Sequence, residues 1–211
     1  MNHTDRSKRQ LLLATGAWAL TAHTSADAAV SVGQPAPDFT LKDVSGKAVK
    51  LSDFKGRHVV LEWTNPGCPY VRKHYNSGNM PATQQDAQSK GVVWLAINST
   101  EREHPDYLKP AALSDWLKER QSKHSAILMD EEGEVGRAYG ARTTPHMYIV
   151  SPQGRLIYAG GIDSIPSSRT EDIAKATNYV KVALAEALAG KPITAAQTRP
   201  YGCSVKYKSS V

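Results

Sequence analysis

The apolar residues of the chain fall into short runs that predict strands and into spaced positions that predict helices. Two mostly apolar runs, 58–63 and 91–97, predict buried strands covered on both faces, as the central strands of a parallel sheet are. Helical spacing predicts helices over about 111–123 and 170–188, and a further helix begins at Tyr70. Shorter segments predict strands at 39–41, 48–51 and 127–130, a helical turn at 135–139, and a hairpin of 147–150 with 156–160.

The order of these elements predicts a single α/β domain over residues 29–190. A β-turn-β unit comes first, a βαβ unit follows, and a hairpin and a helix close the series. The chain has 211 residues, of which 40% are hydrophobic, enough for one core and too many for wholesale disorder. Residues 191–211 form a tail whose structure the pattern leaves open.

The first 28 residues carry the features of an export signal. Lys8 and Arg9 precede an apolar stretch, 11–22, that is too short to span a bilayer, and the small-x-small cleavage pattern follows at 26–28. The run 7–11 is similar to the twin-arginine signal with Lys8 in place of the first arginine, so both export routes stay open. We expect a periplasmic protein, in a compartment where a disulfide persists. The alternative is a cytoplasmic protein with a frayed apolar N-terminus.

Charge and composition exclude several classes of protein. The net charge is +6, but aromatic residues are only 7% and no basic cluster is interleaved with them, so no nucleic-acid partner is expected. No apolar run reaches the roughly 18–20 residues of a membrane span. Two cysteines cannot form a disulfide scaffold. The run Gly133–Gly136 lacks the ending of a phosphate loop, and we expect neither a cofactor nor a metal.

Candidate chemistry centres on Cys68. This residue follows a predicted buried strand and a Pro-Gly turn, and Pro69 suits the first position of a helix. A sulfur at that point faces unpaired helix N–H groups and the positive end of the helix dipole, which favours negative charge by about 0.3–2 kcal/mol. The position therefore predicts a nucleophilic thiolate, provided that hydrocarbon does not enclose the sulfur. The alternative is an inert buried cysteine.

Several motifs, in their order along the chain, carry a family resemblance. The run Asn65–Pro69 between strand and helix, and Thr144-Pro145 ahead of a hairpin strand, resemble the thioredoxin-like superfamily, and more closely its redoxin branch of AhpC/TSA or peroxiredoxin-like proteins. The likeness covers about residues 32–190, and the tail 201–206 is similar to the Gly-Cys-Ser ending of a peroxiredoxin-like subgroup. The resemblance implies a three-layer sandwich with a central mixed sheet flanked by helices, and an antioxidant thiol oxidoreductase.

The chain departs from both family patterns at the cysteine. Thioredoxins carry Cys-x-x-Cys, but Asn65 occupies the first position here, which excludes a local dithiol. Peroxiredoxins carry Thr-x-x-Cys, and the amide of Asn65 is a candidate to hydrogen-bond the thiolate or a peroxide oxygen. Peroxiredoxins also have an arginine where this chain keeps Pro145, and Arg142 is the nearby candidate to reach the thiolate. The substrate is therefore open between a peroxide and a disulfide.

The resemblance also implies roles for the proline loop and for the second cysteine. It implies a cis Thr144–Pro145 bond beside Cys68, in a loop whose backbone edge binds a substrate chain. Cys203 is then a resolving cysteine, a structural staple to Cys68, or a thiol for another subunit. The implied partners are a thiol reductant or a disulfide-bearing protein, with a peroxide or small disulfide as substrate.

Three further polar residues lie near these motifs. Two of them have two interpretations each, and the third has one. Glu62 is either a buried base that modulates Cys68 or a side chain that points to solvent. His146 lies either beside the sulfur or exposed on a loop, and His74 is predicted to be on the surface. A second function class is a Cu(I)-binding or metallochaperone-like module, for which Cys68 and Cys203 supply soft sulfur ligands and His146 a histidine.

Overall fold

Strands and helices alternate along the part of the chain that the computed structural model describes, residue 1 and residues 29–209. The features of the predicted signal peptide, between residues 2 and 28, lie outside the described residues. The strands are β1 (Thr40–Asp43), β2 (Ala48–Lys50), β3 (Val59–Trp63), β4 (Val93–Asn98), β5 (Ala126–Met129), β6 (Thr143–Thr144), β7 (His146–Val150), β8 (Leu156–Gly160) and β9 (Cys203–Ser204). The helices are α1 (Pro69–Asn76), α2 (Asn79–Ser89), α3 (Pro110–Glu119), α4 (Glu134–Tyr139) and α5 (Tyr179–Leu188), with 3₁₀ turns at Leu51–Phe54 and Thr170–Lys175.

Seven of these strands form one mixed sheet in the order β2-β1-β5-β4-β3-β7-β8. The strands β3, β4 and β5 run parallel, whereas β7 and β8 on one side and β1 and β2 on the other pair antiparallel. Every residue of β3 and β4 is buried, as their apolar runs predicted. The predicted mixed sheet and the predicted hairpin of β7 with β8 are confirmed.

The sheet separates two hydrophobic clusters, because alternate residues of each strand face opposite sides. On one side Val60 and Trp94 pack with apolar residues of α1, α2, α3 and α5. On the other side Leu61 and Trp63 pack with residues of α4 and of the N-terminal hairpin. Helices therefore cover both faces of the sheet, which confirms the three-layer sandwich. No helix among the described residues has the length and apolar character that a membrane crossing requires.

The predicted helices differ from the observed ones at three places. Helix α3 ends at Glu119, four residues before the predicted end. The segment 170–188 contains a 3₁₀ turn and α5, separated by extended backbone at Ala176. The break occurs because Asn178 caps α5, its Oδ1 accepting a hydrogen bond from the Lys181 N–H at 3.0 Å, while the Thr177 carbonyl accepts from the Ser164 N–H at 3.1 Å. The sequence predicts one helix after Cys68, but the structure has two. Helix α1 ends at Asn76, and α2 follows Gly78, whose backbone is left-handed.

The tail has a defined path across the domain. We call residues 196–208 the strap. It begins beside β8, where the Thr198 N–H donates to the Ala159 carbonyl at 3.1 Å. It then pairs through β9 with β6, and ends near α4, where the Tyr207 hydroxyl donates to the Ala141 carbonyl at 2.7 Å. The strap thus crosses the loop that joins α4 to β7, which contains Pro145.

Candidate active site

A tight turn places Cys68 at the start of α1. The Oδ1 atom of Asn65 accepts a hydrogen bond from the Gly67 N–H at 2.7 Å, and the Asn65 carbonyl accepts from the Cys68 N–H at 3.0 Å. Cys68 is the N-cap residue, and Pro69 occupies the first turn of α1 as predicted. The amide oxygen of Asn65 therefore shapes the turn, and among the described residues its amide does not make the expected hydrogen bond to the Cys68 sulfur.

The sulfur of Cys68 is buried, but polar backbone groups contact it. Its side chain is only 1% exposed. The thiol donates to the Thr144 carbonyl at 3.0 Å and accepts a hydrogen bond from the Cys203 N–H at 3.4 Å. The sulfur lies at the N-terminus of α1, as predicted, but it makes no cap hydrogen bond to the N–H groups of that helix. The strap, and not hydrocarbon alone, is what covers this sulfur.

The proline loop and the strap form a short antiparallel ladder over Cys68. The Thr144–Pro145 peptide bond is cis, as predicted. Thr144 pairs with Cys203 and Thr143 with Ser204, and the Val205 N–H donates to the Arg142 carbonyl at 3.0 Å. The backbone edge that was predicted to bind a substrate chain is therefore occupied by the protein's own strap.

Gly202 allows the strap to approach this closely. Its φ is +140°, a conformation that L side chains rarely adopt. A Cβ atom at this position would overlap the carbonyl oxygen of Thr144. Only glycine fits between Tyr201 and Cys203 while β9 remains paired with β6.

Cys203 and Cys68 are both free thiols in contact with one another. Burial and, after it, the hydrogen bond to Cys68 raise the pKa of the Cys203 thiol to about 12. Asp106 adds to this rise, and Lys206 opposes it. The carboxylate of Asp106 lies against Gly67, so close that a Cβ there would meet it, and no spacing in the sequence points to this residue. At neutral pH the Cys203 thiol keeps its proton.

Glu62 is buried beneath the site and satisfied by neighbours other than Cys68. Its carboxylate accepts hydrogen bonds from the Tyr75 hydroxyl and the Trp94 indole, both at 2.7 Å, and from the Gln84 amide at 3.1 Å. Burial raises the pKa of this carboxyl, and the hydrogen bonds oppose the rise. The interpretation that Glu62 points to solvent is wrong. It is a buried carboxyl whose hydrogen-bond partners belong to the core.

Neither His146 nor Arg142 makes a hydrogen bond to the Cys68 sulfur within the described residues. The Nδ1 atom of His146 accepts from the Arg142 N–H at 3.2 Å and faces the Tyr148 hydroxyl at 3.1 Å. Tyr148 belongs to the cluster on the opposite side of the sheet from Cys68. Burial, followed by the charge of Arg142, lowers the pKa of His146 to about 3. The exposed-loop prediction for His146 is wrong because the residue begins β7 and is buried.

The remaining polar predictions also need correction. The guanidinium of Arg142 is exposed and makes no hydrogen bond or ion pair within the described residues, so the expected contact with the thiolate is absent. His74, predicted to be on the surface, is fully buried. The proposed copper ligands do not converge, because His146 is on the other side of the sheet from the two cysteines. Among residues 29–209, no three His, Cys, Asp or Glu side chains form a group that could hold a metal ion.

The profile of the AhpC/TSA family matches residues 32–159, more than half of the chain. The chain belongs to the AhpC/TSA family. Thiol-disulfide oxidoreductase ResA of Bacillus subtilis is 27% identical over 128 residues, covering 61% of this chain and 66% of that protein. Peroxiredoxin Bcp of Bacillus subtilis is 27% identical over 114 residues, covering 52% of this chain and 64% of that protein. The chain thus spans slightly less than two thirds of the length of both relatives.

Solved structures extend the likeness of this AhpC/TSA protein to the whole domain. An uncharacterized conserved protein from Geobacillus kaustophilus is 30% identical, with a TM-score of 0.72 over 86% of this chain and 94% of that chain. A putative thiol:disulfide interchange protein DsbE from Chlorobium tepidum is 24% identical, with a TM-score of 0.51 over 62% of this chain and 85% of that chain, and shares the fold. The AhpC/TSA match ends before Cys203, so the strap lies beyond the family profile.

Proposed function

We propose that this AhpC/TSA protein is a thiol oxidoreductase that reduces disulfides through Cys68 and Cys203. The observation that carries the proposal is the register of β6 with β9, in which the Cys203 N–H lies 3.4 Å from the Cys68 sulfur. The names of the relatives, a thiol-disulfide oxidoreductase and a peroxiredoxin, support cysteine redox chemistry. The cycle has two exchange steps.

In the first step the Cys68 thiol loses its proton to water, and the thiolate attacks one sulfur of a substrate disulfide. A bond forms between Cys68 and that sulfur, the substrate S–S bond breaks, and the other half leaves as a thiolate. Cys203 does not compete for the substrate at this stage, because its raised pKa keeps its thiol protonated at neutral pH.

In the second step Cys203 loses its proton to water and attacks the Cys68 sulfur. The mixed disulfide breaks, the second substrate thiolate leaves, and a Cys68–Cys203 disulfide remains. The substrate has then gained two electrons and the protein has lost two. An external dithiol, oxidised in turn to its disulfide, returns both cysteines to thiols.

A disulfide fits this site better than a peroxide. The exposed guanidinium of Arg142 makes no hydrogen bond to Cys68 among the described residues, so the cation that would assist a peroxide does not contact the sulfur. Pro145 keeps a backbone edge on which an extended chain can pair. Peroxide reduction is the second candidate, supported by the likeness to Peroxiredoxin Bcp. In that reaction Cys68 becomes a sulfenic acid, and its condensation with Cys203 releases water.

Reaction of the reduced protein with a cysteine-containing peptide disulfide, and separately with hydrogen peroxide, tests the proposal. We expect the peptide disulfide to react faster than it does with free cysteine, and the product to be 2 Da lighter than the reduced chain. Cys203→Ser should stop at the mixed disulfide on Cys68, and Cys68→Ser should not react. The resolving role is wrong if Cys203→Ser turns over as fast as the wild type with a dithiol reductant. A faster reaction with peroxide than with the peptide would favour the second candidate.

We also propose that residues 1–28 are an export signal, followed by the domain 29–190 and the tail 191–211. The basic residues, the short apolar stretch and the small residues at 26–28 support this division. The Val30 N–H donates to the Ala138 carbonyl at 3.1 Å, so the domain already holds the chain two residues after the proposed cleavage point. Mass spectrometry of protein from the periplasm should give a chain that begins at Ala29. A cytoplasmic protein that retains residues 1–28 would contradict the proposal.

A further inference from the structure

Three buried polar side chains and one partly buried tyrosine join α1 to the strap. Lys73 and His74 come from α1, Asp163 follows β8, and Tyr201 belongs to the strap. The Tyr201 hydroxyl donates to Asp163 Oδ1 at 2.5 Å and lies 3.1 Å from His74 Nε2. The Lys73 ammonium lies 3.5 Å from Asp163 Oδ2. We call these four side chains the anchor cluster. None of its members takes part in the exchange steps proposed above.

The anchor cluster is electrically balanced and fully hydrogen-bonded around its carboxylate. Lys73 and Asp163 carry opposite charges, and burial lowers the pKa of His74 to about 4, so the imidazole is neutral at physiological pH. Asp163 Oδ1 also accepts from the Ile165 N–H at 3.1 Å, and Lys73 donates to the Ile165 carbonyl at 3.4 Å. A buried ion pair is costly unless its geometry and hydrogen bonds are complete, and Tyr201 supplies part of that set.

Tyr201 is the only member of the anchor cluster that the strap contributes. Its ring packs edge-on against Tyr70 with centroids 5.8 Å apart, and the Lys73 ammonium lies 5.6 Å from the ring centre. Burial and the hydrogen bond to Asp163 hold the pKa of this phenol well above its ordinary value. The hydroxyl therefore remains a donor to the carboxylate, and hydrogen bonds to charged groups are stronger than those between neutral groups.

The anchor cluster connects the two segments that carry the cysteines. Helix α1 begins immediately after Cys68, and Tyr201 precedes Cys203 by two residues. Gly202, the residue between them, packs so closely on the Thr144 carbonyl that no Cβ atom would fit there. A phenol fixed to α1 and Asp163 therefore limits where the Cys203 backbone can lie relative to the Cys68 sulfur.

We propose that Tyr201, held by Asp163, is a positioning residue that sets Cys203 against Cys68 and favours the disulfide between them. The part of this inference that concerns the disulfide rests on the proposed function. The anchoring of the strap by Tyr201 does not, and it is measurable in the reduced protein. Tyr201→Phe removes the hydroxyl and keeps the ring. Tyr179→Phe is the matched control, because Tyr179 lines the same surface cavity beside Asp163 and Tyr201 but belongs to α5.

Two measurements on the full chain test the positioning role. The first is amide hydrogen exchange of residues 201–208 in the reduced protein. The second is the equilibrium between the dithiol and the Cys68–Cys203 disulfide in glutathione buffers, which gives the effective concentration of one thiol at the other. Loss of one hydrogen bond to a carboxylate predicts that Tyr201→Phe speeds exchange in the strap at least about tenfold and lowers the effective concentration by about tenfold or more. Tyr179→Phe should change both by less than about twofold.

The outcomes separate this inference from the proposed function. If Tyr201→Phe exchanges its strap amides at the wild-type rate, the positioning role is wrong, whatever the disulfide does. If exchange speeds up but the effective concentration stays at the wild-type value, the strap is anchored without positioning Cys203, which also overturns the inference. If the wild type itself forms no Cys68–Cys203 disulfide, the two-cysteine cycle fails, and the exchange data alone decide whether Tyr201 anchors the strap.

Discussion

Substitution of Gly202 by alanine should uncover Cys68. The new Cβ would overlap the Thr144 carbonyl oxygen, and the φ of +140° is itself unfavourable for alanine. Because the overlap is with backbone and not with a flexible side chain, the strap has to move away from β6. This movement breaks the pairing of Cys203 and Ser204 with the proline loop and the hydrogen bond from the Val205 N–H to the Arg142 carbonyl.

The size of the effect follows from these broken hydrogen bonds. At about 1 kcal/mol for each of roughly three backbone hydrogen bonds, the closed arrangement is destabilised by about 3 kcal/mol. Since 1.4 kcal/mol corresponds to a factor of ten, the open fraction should rise about 100-fold. Cys68 is 1% exposed when the strap is closed, so its reaction with a small alkylating reagent should track this open fraction.

The assay is the rate at which iodoacetamide modifies Cys68 in the reduced protein, read by mass spectrometry of the Cys68 peptide. Gly190→Ala is the control, because Gly190 also has a positive φ, +68°, but a Cβ there meets nothing within 4 Å. We expect about 100-fold faster modification in Gly202→Ala and less than about threefold change in Gly190→Ala. Equal rates in Gly202→Ala and the wild type would refute the argument that the strap shields the sulfur.

Two further predictions concern buried titratable groups. The pKa of His146 is about 3 in the folded protein and near 6.5 when unfolded, so the wild type loses the stability of this neutral imidazole as the pH falls below 6.5. The stability advantage of the wild type over His146→Gln, measured by urea unfolding, should therefore shrink by about 3 kcal/mol between pH 7 and pH 4, whereas a constant difference would contradict the assignment. Burial raises the pKa of Glu62 in the folded protein. Its contribution to stability is therefore greatest at a pH below its unfolded pKa and is lost as the pH rises through its folded pKa. The stability of Glu62→Gln relative to the wild type should accordingly rise between pH 4.5 and pH 8.5. A fall over this range would show that burial does not raise the pKa of the Glu62 carboxyl.

The elements that the sequence predicts best are those whose two faces are both buried. β3 and β4 need apolar side chains on either side, and that requirement is visible as two mostly apolar runs. The N-cap position of Cys68 and the cis proline could also be anticipated, the first from Pro69 and the second from the family resemblance. Hydrophobic pattern and local turn chemistry suffice for these features because the causes lie within a few residues.

The features that could not be predicted have causes distant in the chain. The strap is held by backbone pairing with β6, which imposes no hydrophobic pattern on residues 196–208. The burial of Cys68 depends on this strap, which lies about 135 residues further along the chain. For Glu62 and His146 the sequence leaves a position near Cys68 and an exposed position open, because only the folded structure supplies the Tyr75 and Arg142 groups that satisfy them inside.

The shared use of one backbone edge has a consequence for the order of the proposed cycle. A substrate chain and the strap both need the N–H and carbonyl groups of residues 142–144, so they cannot pair with this edge at the same time. A mixed disulfide on Cys68 would therefore hold the strap away for as long as its chain stays on the edge. When the strap returns, the same movement displaces that chain and brings Cys203 to the sulfur it must attack. Release of the substrate and resolution of the disulfide are then one event, which is why the resolving cysteine belongs on the strand that covers the site.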